Sequence, residues 1–197
     1  MRIIGLCGRS GSGKSVFTAQ AKACGIKVID CDKVYADMVS HPSPCLADIA
    51  AAFGENAIKD GALDRAYLAP LVFADGKKLA RLNRITHRHI KAELRKILAQ
   101  TGESEIVLLD APTLFESGID RWCDLIIGVV APYEACVERI AVRDGIGVSQ
   151  AEARLNSQIS ENFIIENCDV ILYNDSTLEE FAAQSHGLAR EIAEGAI

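Results

Sequence analysis

The sequence predicts an α/β fold on a five-stranded parallel sheet, and three observations carry that prediction. Five short apolar runs are spaced along the chain, helical segments separate them, and a glycine-rich stretch joins the first run to the first helix. Buried parallel strands read as continuous apolar runs because helices cover both of their faces.

The elements follow in order. Arg2 to Leu6 is the first strand, and Lys14 to about Cys24 reads as a helix. Lys27 to Asp30 is a second strand ending in acid, and residues 33–40 look helical. His41-Pro42-Ser43-Pro44 then breaks the chain. Between 45 and 102 no convincing strand is visible, while helices are expected near 45–53, 64–73 and 75–100. Ile106 to Asp110, Leu125 to Val130 and Val170 to Tyr173 are the remaining strands. Glu134 to Arg143 reads as a helix, and two capping boxes, at Ser149–Glu152 and Ser176–Glu179, open two more. The strandless stretch is therefore expected to be a helical insert at 40–102. The core would comprise 1–39, 103–135 and 167–197, and a lid would cover 136–166.

Bulk properties narrow the function. A net charge of -6 argues against general nucleic-acid or anionic-membrane binding. No apolar run reaches spanning length, and the start, Met1-Arg2 leading into a strand-like run, sets the expectation of no secretory leader. Seven scattered cysteines contain no C-x-x-C pair, so neither a zinc site nor a disulfide framework is indicated. A reduced, cytoplasmic protein is expected, free of nucleic acid and membrane, as a monomer or weak homo-oligomer.

Gly8-Arg9-Ser10-Gly11-Ser12-Gly13-Lys14-Ser15 fits the phosphate-loop pattern G-x-x-x-x-G-K-[ST]. Its glycines let backbone N–H groups turn inward around phosphate oxygens, and the helix that follows adds the positive end of its dipole. Lys14 is expected on the β- and γ-phosphates, and Ser15 on magnesium. The loop alone implies nucleoside triphosphate binding; GTPases, ATPases and kinases all carry it.

In an open parallel sheet, ligands bind beyond the carboxyl ends of the strands. Asp30, Asp32 and Asp110 lie at such ends. Asp32 suits a base that takes or orients an acceptor hydroxyl, and Asp110 suits an acid near magnesium, held through water. Asp30 reads equally well as a helix cap. Basic residues from Lys77 to Lys96 crowd one predicted helix, together with His87 and His89. They form either a solvated face or a landing surface for a multiply phosphorylated acceptor. The histidines have no metal-ligand companions. Arg139 and Arg143, four apart, and Arg154 suit a lid that brings positive charge to a transferring phosphoryl group, or else pair locally on the surface.

Taken together, these residues resemble the dephospho-CoA kinase family. Gly11 to Ser15 looks like its phosphate loop, and Val28-Ile29-Asp30-Cys31-Asp32 its V-I-D-A-D element. Gly61-Ala62-Leu63-Asp64-Arg65, Leu68 and Val72-Phe73 are similar to its insert signature, and Leu109 to Glu116 to its L-D-x-P-L-L-F-E run. Arg139, Arg143, Ala153-Arg154-Leu155 and Gln158 resemble its lid, and Cys168-Asp169-Val170-Ile171 with Asn174 its A-D-x-V-I-x-N run. The resemblance implies a P-loop kinase three-layer sandwich of strand order 2-3-1-4-5. It also implies transfer of the ATP γ-phosphate to the ribose 3′-hydroxyl of dephospho-CoA, with Mg2+.

On this reading Asp32, Lys14 and Arg139 are catalytic. ATP is held by Gly8, Gly11, Ser12, Gly13, Lys14, Ser15, Val16, Arg143 and Asn174. The acceptor is held by Asp32, Arg65, Arg81, His87, Thr113 and Leu114, and the metal by Ser15 and Asp110. The chain departs from the family at Cys7-Gly8-Arg9, usually Thr-Gly-Gly, and at Val16, usually threonine, where a backbone donor is expected to serve. It departs again at Arg88, usually proline, and at Ile164, usually basic. A different small-molecule P-loop kinase and a non-catalytic nucleotide-binding regulator are the alternatives.

Overall fold

The computed structural model describes all residues, 1–197. They form two compact units, Met1–Asp30 with Gly102–Ile197, and Cys31–Thr101.

The first unit holds the sheet. Its strands are β1 (Arg2–Gly8), β2 (Lys27–Asp30), β5 (Ile106–Asp110), β6 (Leu125–Val130) and β7 (Val170–Tyr173). They run in the order β2-β5-β1-β6-β7, all parallel. Counted among themselves, the five keep the expected order 2-3-1-4-5. Two further short strands lie between the second and third of these in the chain, in the second unit.

Side-chain alternation along β1 builds the layers. Ile4 and Leu6 join Phe17 and Ala21 of α1 (Lys14–Ala23) and Phe181, Ala189 and Ile192 of α10 (Leu178–Ala193) in one buried cluster. Gly5 and Cys7 face the opposite side, which α6 (Leu114–Ser117) and α9 (Glu161–Asn167) cover. Space on that side is tight. A Cβ on Gly5 would sit 2.9 Å from Leu114 Cδ2, and one on Gly128 would sit 2.7 Å from Ile164 Cγ2 and 2.9 Å from Ile171 Cδ1. The unusual Ile164 is therefore a core residue lying over Gly128. Gly128→Ala is expected to cost about 1–3 kcal/mol through overpacking. Urea unfolding measures that, and a variant as stable as the parent would contradict the packing.

Helices α7 (Tyr133–Asp144) and α8 (Val148–Asn156) pack through Cys136, Val137, Ile140, Ala151 and Leu155. The N-cap of α8 is Gly147, whose N–H donates to Gln150 Oε1, so Ser149 is an interior residue rather than the expected cap. The cap of α10 is Thr177, reciprocated by Glu180, one position beyond the expected box. Two adjacent hydroxyl residues, Ser176 and Thr177, left that register open to the sequence reading.

The second unit begins at Cys31, so α2 (Cys31–Val39) groups with the insert rather than with the sheet. Helix α3 (Pro44–Phe53) starts at Ser43, whose hydroxyl accepts from Leu46 N–H. Helix α4 (Arg65–Phe73) is capped by Asp64, and α5 (Gly76–Ala99) by Asp75. Their apolar faces close over Cys45, Leu46, Ile49, Leu68 and Val72. Against expectation, the insert contains a small hairpin, β3 (Ile58–Lys59) and β4 (Ala62–Leu63). Asp60 and Gly61 turn it, with φ of 52° and 78°. Positive φ at both turn residues makes Asp-Gly the suitable pair.

Candidate active site

The loop from Gly8 to Ser15 joins the carboxyl end of β1 to α1. Gly13, the N-cap of α1, has φ 106°, and Gly11 has φ 79°. A Cβ at Gly11 would lie 2.6 Å from the Cys136 carbonyl oxygen, and one at Gly13 would lie 2.3 Å from Asn174 Nδ2. Backbone conformation and space both require glycine at these two positions.

Side chains converge on the loop from three directions. Lys14 Nζ donates to the Gly8 carbonyl at 2.6 Å and to that of Arg9 at 3.4 Å. Arg139, from α7, donates Nη1 to the Gly11 carbonyl at 3.0 Å. Asn174 is buried just after β7 and donates Nδ2 to the Ser12 carbonyl at 2.8 Å. The buried Ser12 hydroxyl has no hydrogen-bond partner. A buried donor without a partner is costly, and a bound anion would satisfy it.

The loop is also tied to α8 and the turn that follows it. Ser10 N–H donates to Gln158 Oε1, and Gln158 Nε2 donates to Ser10 Oγ, both at 2.8 Å. Arg9 Nη2 donates to the Leu155 carbonyl at 2.7 Å, and its guanidinium lies over the Tyr133 ring at 5.9 Å. The unusual Arg9 thus fastens the loop to α8, a role the sequence did not reveal because its partner is a main-chain carbonyl.

At the neighbouring strand ends, Asp30 on β2 is in register with Asp110 on β5. Asp110 Oδ2 accepts from the Thr18 hydroxyl at 3.2 Å, and the same hydroxyl donates to the Lys14 carbonyl at 2.9 Å. Thr18 went unrecognised; the signal was its position one helical turn after Lys14. Ser15 is exposed in the first turn of α1. A serine hydroxyl and a carboxylate are oxygen donors that suit a hard divalent cation.

Other expected residues are placed differently. The Val16 N–H is given to the Gly13 carbonyl, and its side chain packs against the core. Arg143 does not join the loop. It makes a forked pair with Asp144 at 2.8 and 3.0 Å, and Arg154 joins the same carboxylate. Those bonds hold Asp144 below the usual carboxylate range, Arg143 first among them, and hold Arg143 charged. Leu114 is fully buried, so its side chain belongs to the core, while Thr113 stands exposed before α6.

Within the second unit, Asp32 is exposed in the first turn of α2. Asp30, immediately before that helix, occupies the capping position by sequence. Arg65 lies over the Tyr35 ring at 5.4 Å, and Arg81 over the Phe53 ring at 5.9 Å. Burial, then Lys91, pushes the His87 pKa down, favouring a neutral ring. Arg88 and His89 both bind Asp48 at 2.5 Å, which takes them out of any free basic surface.

The family description "Dephospho-CoA kinase" matches residues 2–180. This chain belongs to the dephospho-CoA kinase family. A dephospho-CoA kinase of Thermobifida fusca is 38% identical over 182 residues, covering 92% of this chain and 91% of the relative. One from Fusobacterium nucleatum is 37% identical over 179 residues, covering 90% and 92%. Among solved structures, the dephospho-CoA kinase from Campylobacter jejuni aligns over 100% of both chains at 27% identity and a TM-score of 0.74. A shikimate kinase from Acinetobacter baumannii, at 14% identity and a TM-score of 0.54, shares the fold alone. The chain is therefore an ATP-dependent phosphotransferase acting on an alcohol group. Dephospho-CoA kinase chemistry requires ATP and, in general, a divalent metal. No helix is long and apolar enough to cross a membrane.

Proposed function

We propose that this chain transfers the ATP γ-phosphate to the ribose 3′-hydroxyl of dephospho-CoA, giving coenzyme A and ADP, by the following division of labour. One observation supports it above the others: Lys14 and Arg139 both donate to carbonyls of one glycine loop at a strand end. Phosphates bind to the loop N–H groups and the α1 N-terminus. Lys14 leaves the Gly8 carbonyl for the β- and γ-phosphates. Arg139 leaves the Gly11 carbonyl for the charge that develops on the transferring group. Asp32 accepts the proton of the attacking hydroxyl.

Ser15 would hold magnesium directly and Asp110 would hold it through water, with Thr18 fixing the carboxylate. Held there, magnesium would supply positive charge that offsets the negative charge of the phosphates. Asn174 supports the loop from beneath, a role that suits its burial better than direct contact with adenine. The molecule acts in the cytoplasm.

Arg65, Arg81 and His87 bind the acceptor. The two arginines are pre-set over aromatic rings, which restricts rotamers that would otherwise be lost on binding. Arg65→Ala and Arg81→Ala are each expected to raise KM for dephospho-CoA roughly 10- to 150-fold, the equivalent of about 1.5–3 kcal/mol. KM for ATP should stay near the parent value. Steady-state kinetics with each substrate varied in turn decide the matter. Unchanged dephospho-CoA kinetics in both variants would remove the insert from acceptor recognition.

A further inference from the structure

Two of the seven cysteines meet. Cys7 Sγ and Cys168 Sγ lie 3.4 Å apart, although Cys7 is on β1, Cys168 lies between α9 and β7, and β6 runs between those two strands. Gly128 explains the contact. It is the β6 residue in register with Cys7, and a Cβ there would lie 3.0 Å from Cys168 Sγ. With no side chain at 128, a notch opens in the middle strand, and the two thiols meet across it. Cys7 is fully buried, whereas Cys168, which ends α9, is half-buried. Resemblance to the family puts threonine and alanine at these positions, so the pair is a feature of this chain.

We propose that Cys7 and Cys168 form a reversible oxidation site, in which a hydroperoxide converts the two thiols to a disulfide that slows the kinase.

The chemistry follows from placement. Cys168 is the less buried residue of the pair, and a hydrogen bond from the Cys7 thiol holds its pKa below the usual value, which favours its thiolate. That thiolate attacks the terminal oxygen of the hydroperoxide. The O–O bond breaks, the alcohol or water leaves with a proton, and Cys168 becomes a sulfenic acid. Burial and the contact with Cys168 keep Cys7 a thiol until then. Its sulfur attacks the sulfenic sulfur, the S–O bond breaks, and the departing hydroxide takes the Cys7 proton as water. Two thiols and one hydroperoxide give one disulfide, one alcohol or water, and one further water. A thiol reductant reverses the bond by exchange.

The effect on turnover follows from sequence position. Cys7 immediately precedes Gly8, whose carbonyl anchors Lys14. Closing a 3.4 Å contact to a bond of about 2.05 Å brings the two sulfurs about 1.3 Å closer and pulls the end of β1 toward the α9–β7 junction. A displacement of about 1 Å in a positioning element can cost on the order of 10²-fold in rate.

The test uses the full chain. Reduced protein is treated with hydrogen peroxide, free thiols are alkylated, and the digest is read by mass spectrometry beside an activity assay. A linked peptide pair containing Cys7 and Cys168 is expected, with on the order of 10²-fold lower kcat/KM for ATP, restored by dithiothreitol. Cys168→Ala and Cys7→Thr should remain active when reduced, form no such link, and keep their activity in peroxide. Three results would overturn the proposal: sulfinic acid on Cys168 with no link, a link from Cys7 to Cys123 instead, or full activity in the linked form. Equal inactivation of Cys168→Ala and the parent would likewise place the sensitivity elsewhere.

Discussion

Lys14→Ala is expected to lower kcat by at least about 10²–10³-fold, the loss seen when one preorganised donor to a transition state is removed. The fold should survive. Lys14 donates to the loop carbonyls of Gly8 and Arg9, and it is not among the residues of the buried cluster around Phe17 and Phe181. Circular dichroism and thermal unfolding should therefore match the parent while turnover collapses. A folded variant with near-parental turnover would mean that the lysine only latches the loop in the resting molecule.

Arg139→Ala is expected to lower kcat by about 10³-fold and to change KM for ATP much less. Arginines placed on a transferring phosphoryl group contribute about 10³–10⁵-fold. They act mainly on the transition state, so kcat takes the loss. In the resting structure Arg139 is exposed and held by the Gly11 carbonyl, close to where phosphate would sit. Arg143, one turn on, is occupied by Asp144, so Arg143→Ala should change kcat far less. A rise in KM with kcat intact would make Arg139 a ground-state binder. An equal loss at Arg143 would show that its pair with Asp144 opens during turnover.

The strands were legible because burial on both faces leaves apolar runs such as Ile106 to Leu109, and because acids mark the carboxyl ends of β2 and β5. Their order came from the family resemblance. The hairpin at Asp60-Gly61 escaped because two-residue strands carry no periodicity; only the Asp-Gly pair marked it. Helix α9 escaped for a related reason, being seven residues long with a single buried side chain, Ile164.

In the site, the glycine loop was legible because its spacing is fixed by backbone geometry. The links from Arg9 to the Leu155 carbonyl and from Ser10 to Gln158 were not, since residues far apart in sequence meet there with no motif to mark them. The sequence could not decide between lid and surface roles for Arg143 and Arg154. The carboxylate of Asp144 draws both to itself in this structure.

Turnover across candidate acceptors decides whether the acceptor is dephospho-CoA. ADP release is followed by a coupled assay with ATP and magnesium across dephospho-CoA, adenosine, shikimate and nucleoside monophosphates. Dephospho-CoA is expected to give by far the highest kcat/KM and to yield coenzyme A. Faster turnover of any other acceptor, or no acceptor-dependent ADP release at all, would contradict it.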